Sequence, residues 1–185
     1  MDILSDKVWD ECVSFHGHSC PGLAMGYRAA KIAMKEMGIS GDRSEDEELV
    51  CISENDACGV DAIQWITGCT VGKGNMILRL TGKQAYSFYD RRTGKSVRVC
   101  VKPFDRNACD SSAITDRFIN GPEEDSFEIK KTTTEVPEKA RIFNSIICEK
   151  CGEAVREDMI RIKDGKKLCL DCFTEYNERW SCRSK

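Results

Sequence analysis

The segment FHGHSCPG, residues 15–22, contains both histidines of the chain, His16 and His18, with Cys20 two residues further on. In an extended segment side chains repeat every two residues, so we predict that these three side chains point to the same side. Gly17 lets the backbone bend between the imidazoles. Imidazole and thiolate ligands suit zinc, iron, nickel or cobalt rather than magnesium or calcium. The segment is therefore a candidate site for a divalent metal in the core of the protein.

Two further residues extend this candidate site. Cys20 precedes one predicted helix and Cys58 begins another, and the positive end of a helix dipole lowers the pKa of a nearby thiol. Asp61 follows Cys58 by about one helical turn and could ligate a metal, orient an imidazole or act as a base. The structural alternative is that the histidines cap or pack and that Cys58 is a small buried residue. We favour a metal or catalytic site that uses His16, His18, Cys20, Cys58 and Asp61.

A second cysteine pattern lies near the C-terminus. The segment CEKC is followed after 17 residues by CLDC, which gives the four cysteines Cys148, Cys151, Cys169 and Cys172. This spacing is typical of a structural zinc site with four thiolates. The intervening sequence predicts a hairpin around Asp164 and Gly165 and a helix over 170–180, as in a treble-clef finger. An iron–sulfur or rubredoxin-like centre is the alternative, and we expect Cys182 to take no part.

The charge of the predicted finger indicates which partners it favours. Residues 146–185 hold nine Lys and Arg and eight Asp and Glu. Four thiolates around a zinc ion add a further negative charge of about two. This is a poor electrostatic basis for binding nucleic acid, so a protein partner is favoured.

Two other features are interpreted as structural. Free cysteine is commonly a buried apolar residue, and this is the prediction for Cys12, Cys51, Cys69, Cys100 and Cys109. The segment GCTVGKGN resembles a phosphate-binding loop, but it is one residue short and has Gly74 where a hydroxyl is needed. We predict a glycine-rich turn there, in which Lys73 could hold an anion.

Composition sets the class of the protein. Of its 185 residues 41% are hydrophobic and 32% are charged, as in globular proteins, and no run of residues is apolar enough for a membrane helix. The N-terminus does not resemble a signal peptide, so we expect a cytoplasmic protein without a membrane partner. In a reducing compartment twelve cysteines indicate metal or redox chemistry rather than disulfides. The net charge of −3 gives no general attraction for nucleic acid.

Hydrophobic periodicity predicts an α+β fold, with helices packed on an antiparallel sheet. The predicted helices cover residues 6–14, 22–37, about 58–67 and 111–120, and ELVCIS, NMILRL, QAYSFYD and SVRVCVK are predicted strands. Residues 1–121 would form this core domain. Residues 122–145, charged and bounded by prolines, would form an extended connector with one short strand at 127–129. Residues 146–185 would form the zinc finger.

The segments FHGHSCPGLAMGYRAA and CGVDAIQWITGCTVGKGN, with the C-terminal pair of C-x-x-C motifs, resemble the family of the E subunit of formylmethanofuran dehydrogenase, in its version with an added zinc finger. The resemblance spans most of the chain. It implies an α+β core, a treble-clef finger and an intertwined homodimer, and an association with the molybdenum- or tungsten-dependent one-carbon metabolism of anaerobes. The characteristic positions of the family match here at His16, His18, Cys20, Cys58, Asp61 and Gln64.

Two hypotheses about function follow. The sequence has no ferredoxin-type cysteine run and no pterin-binding domain, so we expect no formylmethanofuran dehydrogenase activity from this chain alone. In the first hypothesis the core is a metal- or thiol-dependent catalytic unit with a coordination position open to substrate. In the second, the protein is an accessory or metal-sensing protein whose finger binds a partner. An open position beside a pocket would favour the first, and a closed shell the second.

Overall fold

The computed structural model describes residues 7–40, 43–107 and 109–175, and the chain divides into two compact units. The first unit runs from Met1 to Ala140 and the second from Arg141 to Lys185. Among the described residues, no helix is both long enough and apolar enough to cross a membrane.

The first unit has the predicted α+β architecture. Its described helices are α1 (Lys7–His16), α2 (Pro21–Met37), α3 (Gly59–Thr67), α4 (Ser111–Asn120) and α5 (Glu123–Ser126). Its described strands are β1 (Leu49–Ser53), β2 (Met76–Leu78), β3 (Ala85–Asp90), β4 (Ser96–Val101) and β5 (Phe127–Lys130).

Helix α2 is the central helix of this unit, and its ends follow from local sequence. The Cys20 thiol caps its N-terminus by accepting a hydrogen bond from the Leu23 N–H, and Pro21 occupies the first turn, where a missing N–H has no cost. Gly38 ends the helix in the left-handed conformation, with φ of 70°. Between these ends α2 presents a continuous apolar surface to α3, α4 and the sheet.

The five strands form one sheet in the order β2-β1-β3-β4-β5. The pairs β1–β3, β3–β4 and β4–β5 are antiparallel, and of these the sequence predicted β3–β4, but β2 lies parallel to β1. The expectation that the strand NMILRL continues an antiparallel run is therefore wrong. Helix α3 connects β1 to β2, and such a helical crossover returns the chain in the same direction, which gives a parallel pair.

The two faces of the sheet have different coverings. One face packs against the helices, where Cys51, Phe88 and Val99 join the main core cluster. The other face carries a smaller buried cluster, in which Val50 is 1% exposed. On that side the hydroxyl of Tyr89 lies 2.7 Å from the hydroxyl of Thr134, so the chain that follows β5 helps to cover the second face.

Part of the predicted connector belongs to the sheet. The short strand expected at 127–129 is present as β5, which pairs with β4 through Val99 and Ile129, and α5 precedes it. The first unit continues to Ala140, whereas we predicted a core that ends at residue 121 and a connector over 122–145. The charged composition of this segment reflects its solvent-facing side, because an edge strand needs only one apolar face.

The second unit consists of two small hairpins. Its strands are β6 (Ser145–Ile147), β7 (Ala154–Arg156), β8 (Arg161–Lys163) and β9 (Lys166–Leu168), paired β6–β7 and β8–β9. Asp164 and Gly165 both have positive φ, 51° and 78°, and form the predicted turn between β8 and β9. After Cys169 the backbone makes one turn, with the Phe173 N–H donating to the Cys169 carbonyl oxygen. The rest of the helix predicted over 170–180, and Cys182, lie outside the described residues.

Helices α2 and α3 approach each other at two glycines. A Cβ atom added to Gly26 would overlap with the backbone carbonyl of Gly59, and one added to Gly59 would lie 2.5 Å from the Tyr86 hydroxyl. Neither position has room for a larger residue, because the obstructing atoms are backbone or a buried ring. This contact brings the N-terminal ends of α2 and α3 together.

We expect Gly26→Ala to lower the free energy of unfolding by about 3 kcal/mol, since overpacking of a rigid core forces backbone shifts. Gly72→Ala is the matched control, because a Cβ atom added at Gly72 would have no neighbour within 4 Å. Urea unfolding of both variants measures the difference. Equal stability of the two variants would contradict the described contact.

Candidate metal centres

The first candidate centre is organised by His16, the last residue of α1. Its Nδ1 atom lies 2.7 Å from Oδ2 of Asp61 in the first turn of α3. Its Nε2 atom is buried and has no hydrogen-bond partner among the described residues. Because the carboxylate accepts a hydrogen bond from Nδ1–H, Nε2 is the unprotonated nitrogen and has a free lone pair, as in metal sites where a carboxylate orients the histidine ligand.

Two thiols complete this group. One ring nitrogen of His16 and the sulfur atoms of Cys20 and Cys58 all lie within 4.8 Å of one another. Ligand atoms around one tetrahedral zinc are separated by roughly 3.5–4 Å, so small side-chain rotations would let the three ligate one ion. Since Nδ1 is occupied by Asp61, Nε2 is the nitrogen available to a metal. The donor set of these three residues, which we call the core triad, is one imidazole and two thiolates and fits zinc, iron or nickel.

The environment of Cys58 differs from the prediction. We expected the helix dipole to lower its pKa, but burial and then the neighbouring Cys20 raise the pKa of the Cys58 thiol. Cys58 makes no capping hydrogen bond to α3, so it gains little from the helix N-terminus. The neighbouring Cys20 thus disfavours the thiolate form of Cys58, and a bound divalent cation would reverse this effect.

His18 does not join the core triad. The expected extended segment is absent, because His16 still belongs to α1 and Gly17, with φ of 95°, turns the chain after it. The His18 side chain is exposed, and its ring stacks at 4.5 Å, centre to centre, on the ring of His16. Its position covers one side of the His16 ring.

Gln64 contacts Asp61 and the loop that follows α3. Its Nε2 atom lies 3.5 Å from Oδ1 of Asp61, and its Oε1 atom accepts a hydrogen bond from the Val71 N–H. The same helix therefore supplies Asp61, which orients His16, and Gln64, which holds Asp61 and the following loop.

A cavity of about 450 Å³ adjoins the core triad. Cys20 and Cys58 are part of its wall, and Met25, Phe104 and Ile114 make much of that wall apolar. Its polar side chains are Gln84, Arg106 and Ser111. No motif in the sequence pointed to these lining residues, since Gln84 and Arg106 lie in loops whose place is set by the sheet and by α4.

The remaining sequence-based site predictions have mixed outcomes. Cys12, Cys51 and Cys69 are fully buried as predicted, and burial raises the pKa of Cys12 and of Cys69 to about 12. Cys109, predicted to be buried, is exposed, and Cys100 is half-buried. The ammonium group of Lys73 donates to backbone carbonyls of the loop at 44–46, so it is engaged by the protein itself and not aimed at an anion.

The second candidate centre is the four-cysteine cluster of the second unit. Its sulfur atoms all lie within 4.8 Å of one another, and those of Cys151 and Cys169 are 3.9 Å apart, close to the edge of a zinc–thiolate tetrahedron. The Cys169 N–H donates to the Cys148 sulfur at 3.3 Å. Backbone N–H groups, that of Cys151 first, lower the pKa of the Cys148 thiol to about 6. The residues therefore fit a structural zinc ion.

The apolar core of the second unit is very small. Among its described residues only Leu168, Cys148 and Cys169 are buried, with a few half-buried neighbours. We therefore expect Cys169→Ser to release one zinc per chain and to unfold this unit, since a metal supplies most of the folding free energy of such a small domain. The first unit should stay folded, because its core is separate.

Zinc release assays and the dispersion of amide signals in NMR spectra measure the two effects. Cys109→Ser, an exposed cysteine outside both centres, is the control. An unchanged zinc content in Cys169→Ser would show that the cluster is not the zinc site.

Similar proteins have been described. The crystal structure of a tungsten formylmethanofuran dehydrogenase FmdE-like protein from Syntrophus aciditrophicus matches with a TM-score of 0.61 and 25% sequence identity, covering 90% of each chain. A probable S-adenosyl-L-methionine-binding protein from Archaeoglobus fulgidus is 33% identical over 192 aligned positions, which cover 88% of this chain and 51% of the relative. The chain thus spans about half the length of that relative.

Two family models match the chain itself. The model of the prokaryotic DksA/TraR C4-type zinc finger matches residues 141–178, which contain all four cysteines of the second centre. The model described as FmdE, molybdenum formylmethanofuran dehydrogenase operon, matches residues 15–156, a range that includes the core triad, Asp61 and the cavity. The chain belongs to the FmdE family and carries a C4-type zinc finger at its C-terminal end.

Proposed function

We propose that the first unit is a metal-dependent catalytic unit, in which the core triad holds a divalent metal and a small substrate occupies the adjoining cavity. The observation that carries this proposal is the buried Nε2 atom of His16, which has no hydrogen-bond partner among the described residues and lies beside two thiols in a cavity wall. A buried nitrogen without a partner loses hydration without compensation, which is costly unless a ligand binds it.

The chain's own residues have distinct tasks in this proposal. Asp61 keeps the proton of His16 on Nδ1 and holds the ring, so it is a positioning residue. Cys20 and Cys58 hold the metal from the beginnings of two helices that are locked together. Three protein ligands leave a fourth position, and the metal would supply Lewis acidity toward a substrate atom there. The apolar side chains of the cavity wall, Met25, Phe104 and Ile114, would lower the polarity around that position.

The chemistry of the substrate is proposed from the family. Membership of the FmdE family supports an association with molybdenum- or tungsten-dependent one-carbon metabolism in anaerobes. In that metabolism the chain would act beside a formylmethanofuran dehydrogenase or on a molecule that carries the one-carbon group.

A second candidate function is that of an accessory or metal-sensing protein whose finger binds another protein. Exposed apolar side chains on the finger support a protein partner: Ile147 is 56% exposed and Ile162 is 64% exposed. A sensor would hold its core metal in a closed shell, whereas three ligands beside a cavity favour catalysis.

S-adenosylmethionine is a second candidate ligand for the cavity. It is supported by the name of the A. fulgidus relative and by a cavity volume in the range of small-molecule sites. Because the chain matches about half of that relative, the ligand of the relative is a hypothesis for this chain.

The metal proposal is tested by metal analysis of protein purified without oxygen. We expect two metal ions per chain, and a loss of affinity for the core metal of roughly 10-fold or more in His16→Ala and in Cys58→Ser. His18→Ala is the matched control, since the stacked imidazole lies outside the core triad. One metal per chain in the wild-type protein, or an unchanged affinity for the core metal in His16→Ala, would contradict the proposal.

We also propose that the chain forms a homodimer through the first unit. The family resemblance supports this, and so do Leu78 and Leu80, which are 43% and 60% exposed at the end of the edge strand β2. Analytical ultracentrifugation at micromolar concentration should show a dimer, and Leu80→Lys should weaken it. A wild-type monomer under these conditions would refute the proposal.

A further inference from the structure

A second cavity, of about 630 Å³, adjoins the cavity at the core triad. The side chains of Gln84, Phe104 and Arg106 line both cavities, so the two are neighbours. The second cavity lies beside β4 and β5, with Arg98 and Lys130 in its wall. A ligand at the thiols could therefore extend past Arg106 into it.

The second cavity is strongly cationic. Five basic side chains are part of its wall, namely Lys83, Arg98, Lys102, Arg106 and Lys130. One carboxylate, Glu128, lines it and a second, Glu54, pairs with Arg98, which leaves an excess of three positive charges. The whole chain has a net charge of −3, so this concentration of positive charge is local.

The pairing of these five groups shows which of them are free to bind a ligand. Arg98 and Lys83 both pair with Glu54, at 2.7 Å and 4.0 Å, and Lys130 lies 2.8 Å from Glu128. Lys102 donates to a single backbone carbonyl among the described residues, that of Glu124, so two of its three ammonium hydrogens remain for a ligand, whereas Lys73 uses all three. In the part of the chain that the structure describes, neither Lys102 nor Arg106 forms an ion pair with a carboxylate. Clustered cations repel one another, and a bound anion removes that repulsion.

We propose that the second cavity binds the oligoanionic part of a small ligand, with phosphate or carboxylate groups, whose apolar end occupies the cavity at the core triad. The apolar walls there suit an uncharged or aromatic group, and Arg106 stands where the two parts join. The reactive role of the apolar end rests on the proposed function. The anion site rests on its own residues.

Titration calorimetry with two small anions tests the anion site. We expect fructose bisphosphate, tricarballylate or both to bind the full-length protein saturably, and the stronger of them identifies phosphate or carboxylate as the preferred group. The double variant Lys102→Gln/Arg106→Gln should lower the affinity at least about 10-fold, since hydrogen bonds to charged groups are the strong ones.

The double variant Lys166→Gln/Lys167→Gln is the matched control. It removes the same charge from exposed strand β9 of the other unit and should leave the affinity unchanged. The absence of binding by both anions, or an equal loss in the two double variants, would overturn the proposal.

A second set of titrations tests whether the two cavities act together. Adenosine bisphosphate, with phosphates on two ribose hydroxyls, adds an aromatic group and should bind more tightly than fructose bisphosphate. Ser111→Trp, which places a large ring at the cavity by the core triad, should remove this advantage and leave fructose bisphosphate binding intact. S-adenosylmethionine has the same adenosine group but a net positive charge, so it should bind more weakly than adenosine bisphosphate. Tighter binding of S-adenosylmethionine than of adenosine bisphosphate, or an unchanged affinity for adenosine bisphosphate in Ser111→Trp, would overturn the link between the cavities.

The same titrations separate this proposal from the catalytic one. Cys58→Ser should lose the core metal and still bind fructose bisphosphate, because Lys102 and Arg106 are untouched. Loss of both properties in Cys58→Ser would overturn an anion site that rests on its own residues.

Discussion

The close approach of α2 and α3 is the contact on which the candidate site depends. The two glycines, Gly26 and Gly59, allow backbone to pack on backbone, and no side chain can be inserted between the helices there. Cys20 begins α2 and Cys58 precedes α3, so this single contact places the two sulfur atoms beside each other. Helix α1 packs mainly on α3 and so carries His16 to the same point. The site is thus built from three helix ends and not from one flexible loop.

The hydrogen bond between His16 and Asp61 determines which nitrogen of His16 is available to a metal. A histidine with both nitrogens in solvent could present either one, whereas here the Asp61 carboxylate accepts a hydrogen bond from Nδ1–H and keeps the proton on that nitrogen. The remaining nitrogen is buried without a partner among the described residues, next to the Cys58 thiol, whose pKa is raised by burial and by the neighbouring Cys20. A divalent cation would resolve both unfavourable features at once, which explains why these residues coexist. The second cavity also has an unfavourable feature, the repulsion among its clustered cationic side chains, and a bound anion would remove it.

Much of the site could be predicted because its elements are local in sequence. Cys20 precedes one predicted helix, and Cys58 and Asp61 lie within the first turn of another, so helix signals alone placed these three near helix ends, whereas His16 was assigned to an extended segment. His18 was placed wrongly, because the sequence does not say that α1 continues to His16 before Gly17 turns the chain. The spacing of the four cysteines was sufficient to predict the zinc finger, since a C4 zinc site needs little beyond that spacing. What could not be predicted depends on long-range pairing: the parallel strand β2, the addition of β5 to the sheet, and the cavity walls around Gln84 and Arg106.

Anomalous diffraction from a crystal of the metal-loaded protein is the most direct measurement of whether the core triad binds a metal. We expect two peaks per chain, one among the four cysteines of the finger and one bound by His16 Nε2 and the sulfur atoms of Cys20 and Cys58. At the second peak the metal should be roughly 2.0–2.1 Å from nitrogen and about 2.3 Å from each sulfur, with a non-protein ligand on the cavity side. A metal bound through His18 or through Nδ1 of His16, or no peak at the core triad, would contradict this metal site.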